Sequence, residues 1–304
     1  MELQSFGLIN WLVLGTYLCA NVVLGFVLSK KVTTADDFFV GQRNIPWWAI
    51  GISVVATYVS ALSFLGGPAW SYTEGLSVIA IHLNYPIVIF IVIAFFLPFF
   101  FNSGCASIYE YLEKRFGPTT RSVISIIFLI SQCLTSAAIL YATALVLEFI
   151  TGMPVVYAII IITLIALVYT IMGGLAAVIW TDVIQAFILL VGALIITVSL
   201  INNLNLPLGE TLELLKSQGK TNPLNFSFDI TEVSTVWTGV IAMTLFHITV
   251  YGANQMMVQR TLASKNIGDA KKSFLMMGYF AIFIYFLFFL LGILFYSYYG
   301  AREF

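Results

Sequence analysis

Four hydroxyl side chains, Ser53, Thr57, Ser60 and Ser63, recur three or four residues apart within residues 52–68, so on a helix they share one face. A helical region over residues 46–72 extends roughly 40 Å, more than the roughly 30 Å of hydrocarbon that a span must cross. There is room for a break. An interruption at mid-membrane depth leaves carbonyls and amides without intrahelical partners, and those groups then need water, a ligand or an ion. Carbonyls and hydroxyls with no carboxylate form a hard, weakly charged oxygen set that suits an alkali cation such as Na⁺. The plainer alternative is a tilted helix whose serines bond back to the preceding turn and whose Gly66-Gly67-Pro68 ends it.

The rest of the chain must supply a membrane scaffold for that stretch. Sixty-one per cent of the residues are apolar and nine per cent charged, and the mean hydropathy is +1.01; a soluble domain carries about 25 per cent charged residues. Apolar runs of 20 residues or more exclude the alternating strands of a barrel, so an all-α polytopic bundle is expected. Eight spans are drawn at 6–28, 46–71, 77–101, 122–149, 155–172, 178–202, 234–257 and 273–299. The loops between them alternate in basic content. One set holds Lys30, Lys31, Arg43, Lys114, Arg115, Arg121, Arg260, Lys265, Lys271 and Lys272, against Lys216, Lys220 and Arg302 in the other. That asymmetry puts the first set in the cytoplasm and the N-terminus outside, for a multi-pass protein of the plasma or cell inner membrane. The opening Met-Glu-Leu-Gln has no basic segment, which argues against a cleaved signal peptide. Cys19, Cys105 and Cys133 have no metal-like spacing and read as free thiols.

Further polar residues punctuate the spans. His82, Asn84 and Tyr85 lie in the third, where a lone histidine is either a hydrogen-bonded packing residue or a functional group. Residues 107–121 read as a solvated surface helix ending at Gly117-Pro118. The fourth span carries Ser131, Gln132, Thr135 and Ser136 with no Lys or Arg beside them. Asp182 lies about one turn into a helix that follows the Gly173-Gly174 turn. It is either a carboxylate favoured by the helix dipole or a cation or proton stop on the cytoplasmic side; on the second reading it joins the sodium-binding set. The connection over 202–234 is polar, with a short helix expected over 210–217. The following span is polar throughout, with Thr244, His247, Thr249, Tyr251, Gly252, Asn254, Gln255 and Gln259. Two such segments at corresponding places in two halves point to a midplane transport site.

Several strings resemble the sodium/solute symporter family, which includes sodium-coupled transporters of sugars, proline, sialic acid, iodide, monocarboxylates and vitamins. They are Thr34-Ala35-Asp36-Asp37-Phe38-Phe39 with Gly41 and Arg43; Ser53 to Ser63; Ser107-Ile108-Tyr109-Glu110-Tyr111-Leu112-Glu113 with Arg115-Phe116; Tyr169 with Gly173-Gly174; Val178-Ile179-Trp180-Thr181-Asp182-Val183-Ile184-Gln185; and Tyr251-Gly252 with Asn254-Gln255 through Val258-Gln259-Arg260. The resemblance implies a leucine-transporter-type inverted-repeat fold. A single transmembrane transporter domain over 1–304 would then comprise a peripheral first helix (1–33), a first five-helix repeat (46–203) and the start of a second repeat (234–304). Counted this way, the chain stops after the seventh core helix, so it reads as truncated, and these residues alone are not expected to transport. The resemblance also implies that Na⁺ takes the backbone carbonyls of Ala56 and Val59, with further hydroxyl ligands on an eighth core helix.

Departures from the family pattern bear on the solute. Members that take sialic acid resemble one another in an arginine on core helix three, where this chain has Thr135. Galactose-type members place an acidic and an amide group on core helix two, where this chain has His82 and Asn84. Tyr251 is the nearest match to the family's cytoplasmic-side aromatic gate. The expected solute-binding set is Tyr58, Ser60, Ser63, His82, Thr135, Tyr251, Asn254 and Gln255. The expected activity is sodium-coupled symport of a small polar solute, first an organic anion such as a monocarboxylate, sialic acid or vitamin-like molecule, because bound Na⁺ and helix N-termini can offset its charge. A sugar or proline symporter is the first alternative and a passive channel the second. Partners are the solute, Na⁺ and the bilayer, with no nucleic acid and no required oligomer. No paired catalytic carboxylates, His-rich cluster or phosphate loop mark an enzyme.

Overall fold

Long apolar runs with few breakers favour helices, since hydrocarbon offers the backbone no other partners. A computed structural model describes residues 6–300 except 31, 106 and 230, and leaves out the side chains of residues 36 and 42. Lys31 and the chain end at 301–304, including Arg302, therefore lie outside the described residues, as does Met-Glu-Leu-Gln. All the regular elements among the described residues are helical: α1 (Leu8–Ser29), α2 (Ala35–Val40), α3 (Trp47–Tyr58), α4 (Ala61–Glu74), α5 (Tyr85–Ile91), α6 (Leu97–Ser103), α7 (Ile108–Phe116), α8 (Pro118–Thr151), α9 (Val155–Asn202), α10 (Leu208–Ser217), α11 (Met243–Ala253), α12 (Gln255–Leu262) and α13 (Ile267–Tyr299). The all-α membrane bundle is as expected.

Five continuous helical runs among the described residues are long and apolar enough to cross a membrane, against eight spans expected from the sequence. The difference lies in how the spans are built. The second is α3 plus α4; the third joins a 3₁₀ segment, Gly75–His82, to α5 and α6; the seventh runs from a π turn at Thr238–Ala242 through α11. The fifth and sixth are the two arms of α9, parted at Gly174 with φ 57° and ψ −152°. A side chain at Gly174 would meet the Phe38 carbonyl, so this glycine serves both a left-handed backbone and a close approach.

The core gathers around α13, which packs on α3, α4, α9 and the 3₁₀ segment. Ile50 and Val54 on α3 and Phe274, Met277 and Phe288 on α13 are buried there. Close approach needs small residues at the contact. Gly292 of α13 lies where a Cβ would meet Ser71 Oγ and the Pro68 carbonyl of α4. Helix α1 buries only Asn21 and Gly25, the latter against Tyr169 of α9, while α8 buries only Ala144.

The surface helices form as their caps dictate. Ser107 Oγ accepts the Glu110 amide at 3.1 Å to start α7, and Gly117 at φ 90° ends it. Ahead of α2, Asp37 accepts the Thr33 hydroxyl at 2.8 Å and the Thr33 and Thr34 amides at 3.1 and 3.0 Å, while Thr34 Oγ1 accepts the Asp37 amide. This is a reciprocal cap. The Thr33 hydroxyl above all, with the neighbouring amides, holds the Asp37 carboxyl below the usual carboxylate range. A depressed folded value means the cap's contribution is present above the unfolded value and lost as pH falls through the folded one. Amide exchange across residues 35–40 is expected to keep its protection at neutral pH and to lose it only in acid, and an Asp37→Asn variant should show no such acid step.

Candidate functional site

The first polar span is broken where its hydroxyls cluster. Helix α3 ends at Tyr58; Val59 (φ −82°, ψ 100°) and Ser60 (φ −109°, ψ 179°) are extended, and α4 restarts at Ala61. The Ser60 amide, which an unbroken helix would give to the Ala56 carbonyl, donates to Ser63 Oγ at 3.4 Å. Ser63 Oγ in turn donates to the Tyr58 carbonyl at 3.3 Å. The Ala56 carbonyl thus loses its donor four residues on, and the Val59 carbonyl lies in the non-helical linker. These are the oxygen groups that a hard monovalent cation accepts.

The second polar span breaks as well. Asn254 (φ −79°, ψ 128°) separates α11 from α12, and its Oδ1 accepts the Met256 amide at 2.9 Å. The two broken helices meet through rings. Tyr58 lies 5.7 Å from Tyr251, whose hydroxyl is 3.3 Å from that of Tyr85. Tyr85 is 5.1 Å from the His247 ring. His82 stacks on Tyr285 at 4.0 Å, and the Asn84 amide reaches His247 Nδ1 at 2.6 Å. With the amide NH₂ as donor, His247 carries its proton on Nε2.

This cluster combines burial with unmet hydrogen-bonding capacity. His82 Nδ1, Asn84 Oδ1 and Thr244 Oγ1 are buried with no partner among the described residues. Buried polar atoms normally find partners, so these three mark where a polar ligand or water can bind. Tyr58, Ser60, Ser63 and Tyr285 at its edge are half-buried. None of these cluster residues is charged. On the α12 side, Tyr251, Phe96, Phe100, Leu262 and Phe274 enclose a gap of only about 10 Å³, room for one water at most.

The family model described as "Sodium:solute symporter family" matches residues 38–303. The chain belongs to the sodium:solute symporter family. Among curated symporters, the sodium/sialic acid symporter of Proteus mirabilis is 33% identical over 300 residues, covering 98% of this chain and 60% of that protein. The sodium/glucose cotransporter of Vibrio parahaemolyticus is 30% identical over 303 residues, covering 94% and 54%. A solved Na⁺-coupled sialic acid symporter, in a substrate-bound outward-open state, superposes with a TM-score of 0.87 at 32% identity, covering 97% of this chain and 62% of that one. The chain thus spans between about two-fifths and three-fifths of the length of the curated relatives it matches.

Within this symporter scaffold, the residues singled out in the sequence fall into two groups. Tyr58, Ser60, Ser63, His82 and Tyr251 lie at the first break or in the ring cluster, with the Ala56 and Val59 carbonyls beside them. Thr135 lies on the exposed face of α8, its hydroxyl bonded to the Ser131 carbonyl at 2.9 Å. Asn254 caps α12, and Gln255 Oε1 accepts the Ile108 amide at 3.0 Å. Asp182 is neither a bare helix-end carboxylate nor an open cation stop here. Its Oδ2 takes the Ser53 hydroxyl at 2.5 Å and Arg260 Nη2 at 3.2 Å, while Arg260 Nε donates to Ser53 Oγ at 3.0 Å. The sequence reading missed Tyr85, His247 and Tyr285 as site residues, and Arg260 as the partner of Asp182. His247 and Tyr251, four apart on one helical face, were the available signal.

Proposed function

We propose that the chain forms the broken-helix core of a sodium-coupled secondary active symporter that imports a small polar organic solute. The observation that carries this reading is the meeting of two interrupted helices at a ring cluster with three unpartnered buried polar atoms. In it, Na⁺ engages the Ala56 and Val59 carbonyls and pins the first break, while the solute contacts Tyr58, Ser60, Ser63, His82 and Tyr251. Coupling requires only that the solute bind the Na⁺-loaded conformation better than the empty one. The packed aromatic floor under Tyr251 supports a conformation closed toward the α12 side. The basic-residue asymmetry supports a plasma or cell inner membrane location with the N-terminus outside.

An organic anion is the first solute class, in keeping with relatives named as sialic acid and monocarboxylate transporters. A neutral polar solute such as a sugar is the second reading, favoured by the absence of any charged side chain from the cluster. One test grafts this chain in place of the matching part of the Proteus mirabilis symporter and measures uptake of monocarboxylates, sialic acids and sugars in vesicles. Saturable uptake that needs Na⁺ and fails in K⁺ is expected; uptake indifferent to Na⁺ would overturn the symport reading in favour of a facilitator. In the same chimera, Na⁺ is expected to raise the unfolding temperature relative to K⁺ at equal ionic strength, since a ligand stabilises the state it binds.

A further inference from the structure

Away from the ring cluster, a cavity of about 580 Å³ lies between the end of α4 and the 219–234 connection. Its lining includes Trp70 and Glu74 of α4 with Asn222, Glu232 and Ser234 of the connection, and no Lys or Arg among the described residues. The neighbouring Lys220 turns away, its ammonium donating to the carbonyls of Tyr72 and Thr73 and lying 4.7 Å over the Tyr296 ring. One Glu232 oxygen takes the Asn225 amide at 2.6 Å. No described residue engages the Glu74 carboxylate by a hydrogen bond or ion pair. Ser234 is 8% exposed and lines this cavity, and its hydroxyl makes no hydrogen bond to another described residue. A largely buried serine whose hydroxyl is left accessible and unpaired beside an open space marks a place where a ligand or water completes the bonding.

Three features narrow the occupant. Two carboxylates without a lining cation repel anions and concentrate positive charge. The volume falls in the range of small-molecule pockets, about 300–1,000 Å³, and no group of three or more His, Cys, Asp or Glu among the described residues forms a metal cage. The Trp70 indole adds the ring that best attracts an organic cation. We propose that this cavity is a second binding site, separate from the ring cluster, for a small organic cation of the ammonium class. It stands independently of the symport reading. Both carboxylates are exposed, so binding is weak and falls as salt rises.

The probe is choline, titrated calorimetrically into the purified protein beside dimethylbutanol, its uncharged carbon isostere. Saturable choline binding is expected, about tenfold tighter than the isostere, and about tenfold weaker in Glu74→Gln/Glu232→Gln and in Trp70→Leu. Glu213→Gln on α10 should bind as the unmodified protein does. Circular dichroism establishes that the variants keep their helices, and the choline-to-isostere ratio in the unmodified protein needs no variant at all. Binding that the isostere matches, that the glutamine pair leaves intact, or that is absent from the unmodified protein overturns the site.

Discussion

Arg260→Ala is expected to lower the stability of the protein by about 3–5 kcal/mol, because it leaves a carboxylate buried with no cation beside it. The side chains of Arg260 and Asp182 are only 9% and 14% exposed, and their pair, shared with Ser53, joins α12, α9 and α3. Arg260 also donates to the Met256 carbonyl at 3.2 Å, so its loss frees acceptors on three helices. Unfolding in detergent with denaturant gives the magnitude. Removing both charges, in Asp182→Asn/Arg260→Gln, should recover a large part of the loss, since the penalty comes from the survivor rather than from the absent attraction. A loss under about 1 kcal/mol for Arg260→Ala would place the pair in the energy range of solvated surface bridges and contradict its burial.

The second large effect comes from adding atoms. Gly292→Val is expected to destabilise by about 3 kcal/mol, at the upper end for overpacking, because the new methyls enter space held by Ser71 Oγ and the Pro68 carbonyl. A flexible side chain could swing aside, but a main-chain carbonyl cannot. Moving Ser71 would also break its 2.7 Å bond to the Phe289 carbonyl, which joins α4 to α13. Gly192→Ala supplies the contrast. Nothing lies within 4 Å of a Cβ there, so that change should be neutral or stabilising by about 0.5–1 kcal/mol through helix propensity. Equal effects at the two positions would show that α4 and α13 are not in contact.

Local rules made the scaffold legible. Hydropathy located the spans, and hydroxyls at three- and four-residue spacing located the first break, because both depend on neighbours within a few turns. The use of each hydroxyl was not readable. Ser53 serves the Asp182–Arg260 pair, Thr57 bonds back to the Ser53 carbonyl at 2.7 Å, and only Ser60 and Ser63 shape the break itself. The partner of Asp182 lies 78 residues on and that of Asn84 lies 163 away. Pairings at such range are set by how helices stack in three dimensions, which no periodicity within one helix records. The same reason hid Tyr285, whose aromatic run on α13 reads like any lipid-facing stretch.

Helix α12 is moored at three points that face the water-side connectors or the buried pair. Gln255 holds the start of α7, Gln259 donates to the Phe39 carbonyl of α2 at 2.7 Å, and Arg260 holds Asp182. Any swing of α12 must therefore tug on two short surface helices at once. Spin labels on α2 and α7 would register that displacement from outside the hydrocarbon, giving an interior rearrangement a readout at the rim.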